Sequence, residues 1–167
     1  VSKIIHLTDP HLSKPGLPLK GLNPHERLEA AFRDINEFHA DADACIISGD
    51  LTDSSSPEAL LWLKEFLARF PISTHLIIGN HDERSVFFNI FAAYKKDKNG
   101  FLQYSFELGA DRFLCLDTKK DEPVPSGEYC EKRMAWLNNE LNKSNADTYI
   151  FMHHPPFDVG VPHMDRT

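Results

Sequence analysis

Aspartate, asparagine and histidine recur in four short segments of this 167-residue chain: Asp9-Pro10-His11, Gly49-Asp50-Leu51-Thr52-Asp53, Gly79-Asn80-His81-Asp82 and His153-His154-Pro155-Pro156. Carboxylate, amide and imidazole without thiolate suit Mn, Fe, Zn or Co in a working site better than a structural thiolate zinc site. Each segment follows a run that reads as a β-strand. In an open sheet, ligands gather in the crevice at the carboxyl ends of the strands. The four segments are therefore expected to converge, and the pattern reads as a metal-centred hydrolase.

Taken singly, each segment has a plainer explanation. Asp9 and His11 stand at i and i+2, which point the same way at an extended strand exit, but a turn aspartate beside an unrelated histidine gives the same pair. Asp50 either caps a turn or bridges two metals, and Asp53 reads first as a loop or cap residue. Gly79 lets the backbone turn sharply. Asn80 and Asp82 serve well as turn formers, whereas His81 does so less naturally. Pro155 stops the ladder after His153-His154, and one of those histidines would fit in a core. The weight lies in four such segments at one topological position.

The elements that must position them follow from periodicity. Strands are expected at Lys3–Thr8, Ala44–Ser48, Thr74–Ile78, Gln103–Leu108, Arg112–Leu116 and Thr148–Met152. The fourth and fifth are joined as a hairpin through Gly109-Ala110-Asp111. Asn23-Pro24-His25-Glu26 carries helix-start signals, an N-cap residue, Pro at N1 and Glu at N3. Leu28, Ala31, Phe32, Ile35 and Phe38 then follow the helical spacing. A second helix starts at Ser56-Pro57-Glu58, with Leu60, Leu63, Leu67 and Phe70 on one face. A short one spans Ser85–Tyr94, and a last one spans Glu128–Leu141 with Met134, Leu137 and Leu141 facing inward. Alternating strands and helices predict an α/β domain with a largely parallel sheet.

Composition narrows the function classes. An apolar share of 41% and a charged share of 26% are those of an ordinary globular protein. A net charge of −7 argues against long nucleic acid as partner. No apolar run approaches the ~20 residues of a membrane span. Three cysteines without CxxC or zinc spacing fit a reducing cytoplasm.

The order D-x-H, G-D-x-x-D, G-N-H-D and H-H-P-P resembles the calcineurin-like metallophosphoesterase superfamily. The similarity is greatest to its bacterial class III cyclic-nucleotide and glycerophosphodiester phosphodiesterases, and Tyr149–Asp165 is especially similar to the glycerophosphodiesterase branch. The resemblance implies an αββα sandwich holding two divalent transition-metal ions. Asp9, His11 and Asp50 would hold the first ion, and Asp50, Asn80 and His153 the second. His81 would be an outer-sphere catalytic residue, and His153 rather than His154 the ligand. It further implies a small phosphodiester substrate, attacked by a water whose pKa the two ions lower.

The chain also departs from the family pattern. The family's Gly-His-x-His segment and the second half of its sheet have no counterpart, so residues 1–167 are expected to be the incomplete N-terminal portion of a single metallophosphoesterase domain. His163 and Asp165 receive no role. Substrate choice is expected in the loops Ser13–Leu22 and Lys119–Gly127, while Lys14, Lys20 and Arg84 read first as solvated surface charges. A phosphomonoesterase or phosphoprotein phosphatase on the same fold, and a non-catalytic protein-binding scaffold, are the alternatives.

Overall fold

Successive strand residues face opposite ways, and in β2 (Ala44–Ser48) all five residues are buried. Both of its faces must therefore be covered. Cys45 and Ile47 pack with Leu28, Phe32, Ile35, Leu60 and Leu63, which come from α1 (Pro24–Phe38) and α2 (Pro57–Leu67). Ile46, pointing the other way, packs with Ile77, Phe113 and Cys115. The computed structural model describes residues 2–122, 124–162 and 165.

β2 lies between β1 (Ile4–Leu7) and β3 (Thr74–Ile77), parallel to both. The second sheet has the order β4 (Tyr104–Leu108), β5 (Asp111–Cys115), β6 (Thr148–Phe151); β4 and β5 are antiparallel, β5 and β6 parallel. His6 and His75 stand between the sheets, His6 edge-on to Phe151 and His75 stacked flat on Phe106 with centroids 3.5 Å apart. On the outer face of the second sheet, Arg112 meets Glu140 of α4 (Glu131–Leu141). The layers are thus helices, sheet, sheet, helix, the αββα sandwich.

Local signals set the helix starts. Asn23 Oδ1 accepts the His25 N–H at 3.1 Å and Pro24 opens α1. Ser56 Oγ accepts the Ala59 N–H at 3.2 Å at the start of α2. The short helix, α3 (Arg84–Ile90), stops before Tyr94, whose hydroxyl instead accepts the Leu76 N–H at 3.0 Å.

The last helix corrects the periodicity reading. It starts at Glu131 rather than Glu128, and its buried residues are Arg133 and Glu140, while Met134 and Leu141 are exposed. Arg133 donates to the carbonyls of Asp117 and Lys119 and lies over the Phe101 ring. Partners for the buried charges, not apolar spacing, orient this helix. Phe38, expected on the packed face of α1, is likewise exposed.

Candidate metal centre

The chain leaves β1, β2 and β3 at one edge of the first sheet, and leaves β6 at the matching edge of the second. The site therefore forms across the mouth of the sandwich, where three segments from one sheet meet a fourth from the other. The open-sheet rule alone places all four on one sheet, whereas the sandwich implied by the resemblance is the arrangement found. The facing of the sheets does what neighbouring strands were expected to do.

Asp9 (φ 55°), His11 (φ 43°) and Asp50 (φ 46°) all lie in the left-handed region, at a cost of about 1–3 kcal/mol each. Asp9 and His11 therefore converge through a strained turn, not through strand alternation. Backbone bonds from Asp9 N–H to Gly49 O (3.2 Å) and from His11 N–H to Asp50 O (3.0 Å) hold the turn against the β2 exit.

The side chains form two donor groups that share one carboxylate. His11, Asp50 and His81 present ligand atoms within 4.8 Å of one another, as do Asp9, Asp50 and His153. His11 Nε2 stands 3.5 Å from Asp9 Oδ1 and 3.5 Å from Asp50 Oδ2. His153 Nε2 stands 3.4 Å from Asp50 Oδ1 and 3.3 Å from Asn80 Oδ1. Ligands of one tetrahedral ion, at metal–ligand distances of about 2.0–2.1 Å, stand roughly 3.3–3.4 Å apart. These spacings are long for charge-assisted hydrogen bonds but suit neighbours around a cation, so the donor set fits divalent metal.

The histidine rings are fixed from behind. His153 Nδ1 donates to Ser48 O at 2.9 Å, so its Nε2 lone pair faces Asp50 and Asn80. His81 Nδ1 donates to Asp53 O at 2.6 Å, which turns its Nε2 toward Asp50 at 4.0 Å. A second-row partner of this kind sets the tautomer of a ligating or catalytic imidazole. Burial lowers the His153 pKa, but the neighbouring Asp50 carboxylate outweighs it and holds His153 above its ordinary value. Burial likewise raises Asp50, and the nearby His153 together with the bond from the His81 N–H reverses the shift, leaving the carboxyl below its usual value.

Sequence reasoning missed three supports. Asp82, allowed only as a turn former, is fully buried. It accepts the N–H groups of Leu51, Thr52 and Gly79 and the Thr52 hydroxyl at 2.9–3.0 Å, tying the second segment to the third. Burial pushes its pKa up against those bonds. A Cβ at Gly49 would overlap the His153 ring, and one at Gly79 would overlap the Asp50 carboxylate. The signal was present as glycine before each aspartate or asparagine, but only the tertiary approach explains it.

The other sequence candidates separate clearly. His154 turns away: its Nδ1 pairs with Thr118 Oγ1 at 2.7 Å, and burial with the His153 charge lowers its pKa to about 4. Asp53 serves the site through its carbonyl, with its carboxylate 3.8 Å from His11 Nδ1. Lys14 pairs with Glu58 at 2.9 Å. Arg84 is no solvated charge; it clasps Asp117 with two bonds of 2.7 and 2.8 Å. Lys20 lines the cavity that opens from the donor groups. Asp165 accepts the Val159 N–H at 2.8 Å, away from the centre, and His163 lies outside the described residues. No helix among the described residues is long and apolar enough to cross a membrane.

Known proteins are similar to this chain along nearly its whole length. A "Probable cyclic nucleotide phosphodiesterase" of Rhodopseudomonas palustris is 38% identical over 166 residues, covering 98% of this chain and 61% of its own. A "Probable glycerophosphodiester phosphodiesterase" of Arcobacter nitrofigilis is 28% identical over 97% of this chain and 60% of its own. A "3',5'-cyclic-nucleotide phosphodiesterase" of Nostoc is 28% identical over 98% and 60%. The chain thus spans about 60% of the length of these relatives. The family model for calcineurin-like phosphoesterases matches residues 2–166. With nearly the whole chain inside that match, and its D-x-H, G-D, G-N-H-D and H-H-P-P segments at the strand exits, the chain belongs to the calcineurin-like phosphoesterase family.

Proposed function

We propose that the protein is a metal-dependent phosphodiesterase acting on small diesters, either 3',5'-cyclic nucleotides or glycerophosphodiesters. The observation that carries this reading is the Asp50 carboxylate, whose Oδ2 faces His11 while its Oδ1 faces His153. In this reading Asp9, 3.5 Å from His11 Nε2, joins His11 and Asp50 on one divalent ion in place of His81, and Asp50, His153 and Asn80, 3.3 Å from His153 Nε2, hold a second. Mn, Fe, Zn or Co suits such donors. When bound, a pair of such ions polarises a phosphoryl oxygen and acidifies water at neutral pH.

The chain's own residues do the rest. The Ser48 carbonyl holds His153 ready to ligate, and Asp82 clamps the Asp50 and Asn80 loops together. His81 is the catalytic residue outside the ligand sets. With Nδ1 committed to the Asp53 carbonyl, its Nε2 is the atom left to stabilise or protonate the leaving alkoxide. The small substrate fits an acidic protein that offers little to long nucleic acid. The thiols of Cys45, Cys115 and Cys130, all free, support a reducing cytoplasmic setting. Residues 1–167 are read as the N-terminal portion of one metallophosphoesterase domain, consistent with their share of the relatives' length.

Mn²⁺-dependent hydrolysis of bis-p-nitrophenyl phosphate against p-nitrophenyl phosphate by the full-length protein tests this reading. A diester preference is the expected result. A monoester preference would move the assignment to a phosphatase, and silence on both esters would favour the scaffold.

A further inference from the structure

The cavity at the donor groups is larger than a phosphate needs. It has a volume of about 600 Å³ and is lined by Asp9, His11, Asp50 and His81 of the donor groups and, outside them, by a compartment of Leu19, Leu22, Leu28 and Ala31. Lys20 and Arg27 also line it. The lining is of two kinds, carboxylates and imidazoles in the donor groups and aliphatic side chains with two cations from the turn and α1.

Both cations sit against local preference. Leu19 and Leu22 exchange backbone hydrogen bonds of 2.8 and 2.9 Å, so Lys20-Gly21 forms a two-residue turn with φ of 48° and 79°. Two positive φ values define the I′ turn, where asparagine or glycine is preferred to lysine. Arg27 stands in the first turns of α1, where the helix dipole disfavours a cation. Among the described residues neither cation has a carboxylate within 4.0 Å, unlike Lys14 with Glu58 and Arg84 with Asp117. Both residues are exposed, and with no ion pair to hold them their charges are available to a ligand in the compartment.

We propose, resting on the phosphodiesterase reading above, that this compartment receives the organic group esterified to the phosphate and selects a nucleoside over a cationic glycerol ester. The aliphatic wall takes the faces of a flat base, and Lys20 and Arg27 donate to acceptor atoms on its edge. A choline or ethanolamine group in the same place would meet two like charges. Lys20 and Arg27 are therefore specificity-determining residues.

The test compares kcat/KM of the full-length Mn²⁺-loaded protein on adenosine 3',5'-cyclic phosphate, glycerophosphocholine and bis-p-nitrophenyl phosphate, with adenosine as a competitive inhibitor. Lys20→Asn suits the turn and Arg27→Gln suits the helix, so both variants keep the backbone. The combined variant is expected to lower the cyclic-nucleotide to glycerophosphocholine ratio at least about tenfold, mainly through KM, and to weaken adenosine inhibition similarly. Arg27→Glu is expected to push the ratio further toward the choline ester. An unchanged ratio would overturn the proposal. Equal losses on every diester would place the cations on the phosphoryl group and overturn it too. A wild-type preference for glycerophosphocholine would overturn it while leaving the phosphodiesterase reading intact. Inactivity on all three diesters would remove that reading, and this inference with it.

Discussion

The two sheets solve the same packing problem with different chemistry. Around β1–β3, the helices bury Leu28, Phe32, Ile35, Leu60 and Leu63, and the buried carboxylates, Asp50 and Asp82, lie at the strand exits. Around β4–β6, α4 buries Arg133 and Glu140 and leaves Met134 and Leu141 exposed, with Tyr149 and Ile150 of β6 exposed as well. Arg112 accounts for Glu140, and Asp117 for Arg133. Fully buried beside the exit of β5, Asp117 accepts two bonds from Arg84 and the N–H groups of Leu102 and Lys119, with Arg133 3.7 Å away. In the first region charge is gathered for chemistry; in the second it is consumed in architecture. A buried charge thus indicates function only after its partners have been counted.

That contrast breaks if Asp50 and Asp117 behave alike. Asp50→Asn is expected to lower diester turnover by about 10³-fold while leaving the thermal midpoint within a few degrees; turnover within tenfold of wild type would remove Asp50 from the centre. Asp117→Ala is expected to do the reverse. It removes the buried carboxylate that Arg84 clasps and that accepts the Leu102 and Lys119 N–H groups, and should cost about 3–5 kcal/mol in urea unfolding, with turnover per folded molecule retained.

Gly79→Ala sharpens the comparison at the close approach of β3's exit to Asp50. Its Cβ would overlap the Asp50 carboxylate, so Mn²⁺ affinity is expected to fall about 10- to 100-fold, as when a ligand's support is lost. Unaltered binding isotherms would show that the approach is not needed.

Acid probes the histidines packed away from the centre. Burial lowers the pKa of His6, His25 and His75 from 6.5, so the folded state resists protonating them. Below pH 6.5 the unfolded chain binds more protons at these positions, and stability falls with pH until the lowered folded values are passed. The thermal midpoint should drop between pH 7.5 and pH 5, and drop less in His75→Phe, which keeps the stack on Phe106. An identical drop in both would exclude His75 as a contributor. The smallest effect belongs to Met134→Gln on the exposed face of α4, expected within about 0.5 kcal/mol of wild type by the same unfolding measurement.

The same contrast explains what was legible in the sequence. Apolar strands, helix starts at Asn23 and Ser56, and the ligand-rich exits are local patterns, and each appears where periodicity or composition placed it. The left-handed φ of Asp9, His11 and Asp50 was not legible, because strain there depends on the bonds to Gly49 and Asp50 across the sheet. Nor was the role of Asp82, whose acceptors' partners are split between two loops. The inward face of α4 was misread because an apolar pattern cannot show that Arg133 has its acceptors at Asp117 and Lys119. Long-range satisfaction of charge is the part a single sequence hides.

The central claim is that one carboxylate, Asp50, joins two cation sites at the mouth of the sandwich. Titrating the metal-free full-length protein and its Asp50→Asn variant with Mn²⁺, by calorimetry, tests it most directly. The account predicts two ions per wild-type chain and weakened binding of both in the variant. A single ion per chain, or a variant that loses only one of two, would contradict it.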